Sequence, residues 1–244
     1  MKMMLVLWAL PRSHSTPFEW MMRERGDFVT HHEPFGLTYH YGEDRRSKRH
    51  AERPVEADLT FATTWAHLQA EAERTPVFIK DFAHTVLDVA ADAFLRRLTH
   101  SFLIRDPKLV LPSLHAERPN FTVHEAGYRA QRELFDRLCE RDGSPPPVID
   151  AESLVRAPIP VVRAYCEALG LHFRPRMLKW GRDPGRQTSW SREGAWQRNL
   201  VAGTSAERSG RRYVPVDHDE HLKRTYAECL PHYLAMRPYE LRYD

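Results

Sequence analysis

The chain has 244 residues, 42% of them hydrophobic, which is enough for a well-buried core. Its net charge of +3, from 36 Lys and Arg against 33 Asp and Glu, suits a small anionic ligand and excludes a polycation built for nucleic acid. Cys139, Cys166 and Cys229 are too few and too widely spaced for a disulfide framework, a zinc site or a redox motif, so reduced thiols in a cytoplasmic protein are expected.

The run Met4-Leu5-Val6-Leu7-Trp8-Ala9-Leu10 reads as a buried parallel strand. It is too short to span a bilayer and has no small-residue cleavage site, so it is expected in the core rather than in a signal peptide. No other segment is apolar enough to cross a membrane. Pro11-Arg12-Ser13-His14-Ser15-Thr16 follows as a hydroxyl-rich turn, and Pro17 to Arg25 reads as a helix stopped by Gly26. A strand, a tight loop and a helix N-terminus make an anion site, because the first amides of a helix have no intrahelical acceptor. Arg12 adds a fixed cation, and Ser13, Ser15 and Thr16 add hydroxyl donors.

Phe28 to His32 is a short strand, and Tyr39 to Asp58 is charged and reads as a surface loop. Leu59 to Arg74 is predicted helical, Pro76 to Asp81 a strand, and His84 to Leu98 a helix from the spacing of Val86, Leu87, Ala90, Ala91, Phe94 and Leu98. His100 to Asp106 is another buried strand, and a Pro-initiated helix follows from Pro107. Further helices are expected over Glu125–Arg141, Pro158–Leu169 and Asp217–Leu234, with a strand at Val148-Ile149-Asp150. Arg174 to Arg212 is rich in Arg, Gly, Ser and Trp and lacks periodicity. Alternating strands and helices predict an α/β fold with a central parallel sheet flanked by helices. Ligands of such sheets sit beyond the carboxyl ends of the strands. Three strands end in a cation there: Arg12, Lys80 and Arg105.

Arg105 leaves its strand eight residues before Ser113, about two helical turns into the next helix. The two can grip one phosphate from two sides; otherwise Asp106 caps the helix, Arg105 pairs with a surface acid and Ser113 is incidental.

Together these segments resemble the sulfotransferase superfamily, bacterial members included, whose donor is 3′-phosphoadenosine-5′-phosphosulfate (PAPS). Residues 11–16 are similar to its 5′-phosphosulfate loop, and Ile104-Arg105-Asp106-Pro107 through Ser113 to its 3′-phosphate motif. Val148–Leu154 and Cys166–Leu171 resemble the stretch after that motif, and Arg192-Glu193-Gly194-Ala195-Trp196 is faintly similar to a late R-K-G…W segment. The resemblance implies a P-loop nucleotide-hydrolase-like sulfotransferase fold in one domain over 1–244, with mobile acceptor-side loops near 39–58 and 174–212. It implies that Arg12, Ser13, His14, Ser15 and Thr16 hold the 5′-phosphosulfate, that Arg105 and Ser113 hold the 3′-phosphate with Arg192 and Trp196 closing over the adenosine, and that Lys80 sits near the sulfate. Adenosine 3′,5′-bisphosphate is then the product, no metal is required, and a hydroxyl of a small molecule is the acceptor. No nucleic-acid or membrane partner is expected; the oligomeric state is open, a homodimer included.

Two departures stand out. Arg12 replaces the Lys of many members, and the two are not interchangeable; His14 replaces a Gly. The proton acceptor is also open. The family's His two residues after the strand-ending Lys is Phe82 here, leaving Asp81 and His84 as equal candidates, each with a bland alternative as helix cap or first-turn residue. His32, Glu33 and His115 stand behind them. A P-loop kinase-like phosphotransferase is the alternative, but the loop lacks the Gly-Lys pair that mechanism needs. A non-catalytic nucleotide-binding protein on the same fold is another.

Overall fold

The structure is a computed structural model that describes residues 2–178 and 213–243. Five parallel strands, β1 (Met4–Ala9), β2 (Val29–His32), β3 (Val77–Phe82), β4 (Thr99–Ile104) and β5 (Val148–Asp150), form one sheet in the order β2-β3-β1-β4-β5. The expected parallel sheet with flanking helices is therefore present. β1 lies at its centre, paired from Leu7 to Lys80 of β3 and from Leu7 to Ser101 of β4. Its neighbours are reached by crossovers in opposite directions, which opens a crevice at its carboxyl end.

Both faces of the sheet are covered, so β1 is apolar at every position and fully buried. Leu5, Leu7 and Ala9 pack with Phe78 and Leu103 under α1 (Ser15–Arg25), through Phe18, Met21 and Met22, and under α9 (Pro158–Ala168), through Val161, Val162 and Tyr165. Met4, Val6 and Trp8 pack with Ile79, Phe102 and Ile104 on the opposite face. That face is covered by α3 (Phe61–Ala72), α5 (Pro107–Glu117), α7 (Tyr128–Asp142) and α10 (Glu220–Met236). At the carboxyl ends, Gln131 of α7 donates from Nε2 to Trp8 O at 2.9 Å and to Leu103 O at 3.1 Å. It satisfies carbonyls near the point where the β1–β4 ladder stops, at Trp8–Phe102.

The backbone departs from the expected elements in three places. A helix, α2 (Pro34–Tyr41), precedes the irregular segment, which begins at 42 rather than 39. That segment is tied down: Arg45 donates to the carbonyls of His50, Ala51 and Arg53, and Arg49 pairs with Glu125. The expected helix over 84–98 is instead a 3₁₀ turn at Ala83–Thr85, further turns, and the short α4 (Asp92–Leu95). Val86, Ala90, Phe94 and Leu98 are buried as the periodicity implied, but successive turns place them rather than one helix. The helix expected from Glu125 divides into α6 (Val123–Ala126) and α7, because Gly127 at φ 82 closes the first and its bare Cα lies against His84. The remaining helix, α8 (Ala151–Arg156), follows β5 directly and is capped by Asp150. No described helix is long and apolar enough to cross a membrane.

Candidate functional site

The loop after β1 is held open as a cradle. Ser13 Oγ donates to Leu10 O at 2.6 Å, so this hydroxyl ties the loop together rather than facing outward. Arg12 and His14 both have positive φ, 61° and 63°, on either side of a residue that does not. Alternation of this kind turns successive amides to one side, as in an anion-binding nest. His14 occupies the N-cap of α1 without a side-chain bond, and no acid lies in the helix's first turn. Ser15 and Thr16 open that turn, where the amides and the macrodipole favour an anion.

Arg105 and Ser113 meet this loop directly. Arg105, nearly buried at the end of β4, donates from Nη1 to Arg12 O at 2.8 Å and from Nε to Glu152 Oε1 at 2.9 Å. Arg12 Nε donates to Ser113 Oγ at 2.9 Å. Asp106 caps α5 through the amide of Lys108, and Tyr128 donates to Arg105 O at 2.8 Å, fixing the strand exit. The helix cap and the acid partner of the bland alternative are both present, and Ser113 is bonded to the loop through Arg12. Two guanidinium groups thus converge on the cradle. Burial first, then Arg105 and Arg12, push the His14 imidazole down to about 4, so it is neutral at pH 7 in a positive local potential.

The second corner lies across β1, on the face covered by α1. Strand alternation sends Lys80 and Phe82 to that face and Asp81 to the other. His32 is level with Lys80 on the neighbouring strand. Lys80, 1% exposed, ion-pairs through Nζ with Glu33 Oε1. His32 Nε2 lies 3.6 Å from the same oxygen, and its Nδ1 is 2.5 Å from Glu19 Oε2 of α1. Arg23 completes the line, 3.1 Å from Glu19 Oε1. Burial works to raise both carboxyls, but their partners prevail. Glu19 is held below the usual range by His32, then Lys80 and Arg23, and Glu33 by Lys80, then His32 and Arg118. Glu19 went unread in the sequence; its signal was an acid set among Phe18, Met21 and Met22 on the apolar side of a helix.

Asp81 and His84 face elsewhere. Asp81 is fully buried: Oδ2 accepts from the amides of Phe35 and Gly36 at 2.7 and 3.3 Å, and Oδ1 from the amide of Phe82 and from Thr85 Oγ1 at 2.8 and 3.1 Å. Burial and then the Glu33 charge push its carboxyl up to about 7, against the pull of those amides and Lys80. His84 is stacked on Phe82 and edged by Tyr39 and His124. Burial, then His124 and His40, push it down to about 3. His115 packs against Phe121 and His221 where α5 meets α10. Arg192 and Trp196 lie outside the described residues.

Comparisons with known proteins bear on the family and the fold. The family described as "Sulfotransferase domain" matches residues 3–239, nearly the whole chain. Among solved structures, the sulfotransferase domain of the Synechococcus PCC 7002 olefin synthase superposes with a TM-score of 0.59 at 17% identity, covering 93% of this chain and 95% of that one. The sulfotransferase domain of the curacin biosynthetic pathway superposes at 0.56 and 14% identity, covering 99% of each. These two likenesses are of fold. Branched-chain-amino-acid aminotransferase-like proteins 2 and 1 of Arabidopsis thaliana are 27% and 26% identical over 94% of this chain. The chain spans only about two fifths of their length, 40% and 41%.

Proposed function

The chain belongs to the sulfotransferase domain family, and from that premise we propose that it moves a sulfuryl group from PAPS to a hydroxyl of a small-molecule acceptor. The observation that carries the reading is the junction of Arg12, Arg105 and Ser113 at the loop after β1, which joins the two anion motifs in one network. In this reading Arg12 and the amides of residues 13–16 hold the 5′-phosphosulfate, and Arg105 and Ser113 hold the 3′-phosphate. Ser13 contributes through its backbone, since its hydroxyl is engaged with Leu10 O.

The transfer is an in-line displacement: the acceptor oxygen bonds to sulfur, the bond from sulfur to the bridging phosphate oxygen breaks, and adenosine 3′,5′-bisphosphate departs with the electron pair. Arg12, Lys80 and the loop amides stabilise the charge that builds on the leaving side. Glu33 takes the acceptor's proton. Held ionised by Lys80, it is in its basic form throughout the neutral range, as the catalytic-loop Asp of a kinase is. Lys80 faces both Glu33 and the loop's helix, so the same cation that keeps the base ionised also serves the sulfuryl group. Asp81 and His84, expected at the outset as proton acceptors, are tied to backbone amides and buried among aromatic rings respectively.

Binding measured by calorimetry with PAPS, adenosine 3′,5′-bisphosphate and ATP-Mg²⁺ tests the donor. Micromolar or tighter binding of the bisphosphate with none of ATP-Mg²⁺ is expected; ATP preference refutes the reading. Binding of PAPS without release of the bisphosphate in the presence of any hydroxyl acceptor would make it a binding protein instead.

A further inference from the structure

Glu33 has an unusual place in the chain. It follows β2 directly and stands at the N-cap of α2 in the left-handed region, φ 48 and ψ 48, with no capping bond from its own side chain. An N-cap residue ordinarily lies in the extended region and accepts from the amides of the first turn through its side chain. Here those amides, Phe35 N and Gly36 N, are taken by Asp81 Oδ2 from the adjacent strand. The other oxygen of Asp81 accepts from Phe82 N and Thr85 Oγ1, so the carboxylate is held from both ends. Meanwhile Glu33 N donates to Lys80 O at 2.7 Å, and its carboxylate pairs with Lys80 Nζ.

We propose that Asp81 is the positioning residue for Glu33: by capping α2 from β3 it frees the Glu33 side chain from capping and holds its backbone in the left-handed turn that aims the carboxylate at Lys80. The proposal rests on the reading that Glu33 takes the acceptor's proton. Neighbouring residues Lys80 and Asp81 act on opposite faces of the sheet, one gripping Glu33 itself and the other the turn that follows it. Gly36 makes room for this arrangement, because a Cβ there would lie 3.3 Å from Glu33 Cβ and 3.6 Å from Asp81 Oδ1. A capping carboxylate at this site cannot be replaced by the Glu33 side chain without taking that side chain away from Lys80.

The test compares Asp81→Ala, Asp81→Asn, Glu33→Gln and the double variant Asp81→Ala/Glu33→Gln. Turnover is read as adenosine 3′,5′-bisphosphate released from PAPS, with the best acceptor of a panel of phenols, sugars and aliphatic alcohols, or with water if none exceeds it. Affinity for the bisphosphate is read by calorimetry. Asp81→Ala should lower kcat at least tenfold while bisphosphate affinity stays within about twofold, and should lower it no further on the Glu33→Gln background. Asp81→Asn, which keeps one acceptor oxygen in the same shape, should recover part of the lost kcat, and it carries the test if Asp81→Ala does not fold. Wild-type kcat in Asp81→Asn together with Asp81→Ala, a parallel loss of bisphosphate affinity, or additive losses in the double variant each overturn the positioning role. Wild-type kcat in Glu33→Gln instead overturns the reading of Glu33 as base.

Discussion

Arg105→Ala is the sharpest perturbation of the donor site. Arg105 is 9% exposed, and its guanidinium donates to Arg12 O and to Glu152. Glu152's side chain is 45% exposed, so that ion pair adds little to stability and yields easily to a phosphate. A charge-assisted bond to a ligand phosphate is worth about 1.5–3 kcal/mol. At about 1.4 kcal/mol per factor of ten, losing it should weaken adenosine 3′,5′-bisphosphate binding roughly 10- to 150-fold. Losing the bond to Arg12 O also loosens the cradle, at a cost of about 1.5–3 kcal/mol in stability, too little to unfold a typical domain. The assay is isothermal calorimetry at constant ionic strength, well below the variant's melting temperature. Arg105→Lys keeps the charge but not the fork and should fall between the two. Affinity within twofold of wild type in folded Arg105→Ala would refute the assignment of Arg105 to the 3′-phosphate.

Other outcomes follow from the same structure. If Glu33 is the base, its lowered carboxyl puts its own acid limb of kcat/KM below pH 4.5; a limb near pH 7 that disappears in Asp81→Asn belongs to Asp81, raised to about 7, whereas one that persists there would point to an imidazole. Stability should rise with pH between about 4 and 6.5: His14, His40 and His100 are lowered to about 4 and His84 to about 3, so the unfolded chain binds protons there that the native state does not. Asp81, raised to about 7, opposes this between 3.8 and 7, but one carboxyl stands against four imidazoles; melts that are flat or fall over pH 4–6.5 would contradict the assignment. Gln131→Leu removes the two side-chain bonds to the carbonyls of Trp8 and Leu103 where β1 and β4 part and should cost about 1–3 kcal/mol in urea unfolding; a cost under 0.5 kcal/mol would show that these bonds add nothing to stability. His14→Gly relieves a left-handed residue at φ 63 and should stabilise the fold by about 1 kcal/mol without weakening bisphosphate binding; destabilisation would show that the imidazole itself holds the cradle.

The strands, the anion loop and the Arg105–Ser113 motif were legible because each is written locally. A continuous apolar run bounded by turn residues implies a buried strand whatever surrounds it, and a cation at a strand end implies a site at the sheet's carboxyl edge. The irregular link between β3 and β4 was not legible, because burial at helical spacing can also be met by successive turns, and which one forms depends on what caps them. Here Asp81 accepts from Thr85 and the chain breaks into a 3₁₀ turn.

The amino-acid order alone determined the parallel sheet, the placing of Arg12 and Arg105 at its carboxyl edge, and the alternation that separates Lys80 from Asp81. Only the tertiary structure decided what each charged group does. Lys80 finds Glu33, His32 finds Glu19 and Asp81 finds the start of α2, all across gaps of more than ten residues in the chain. The reason is physical: a buried charge takes whichever partner the packing brings within reach, and pattern along the chain does not record which residues the strand order makes neighbours.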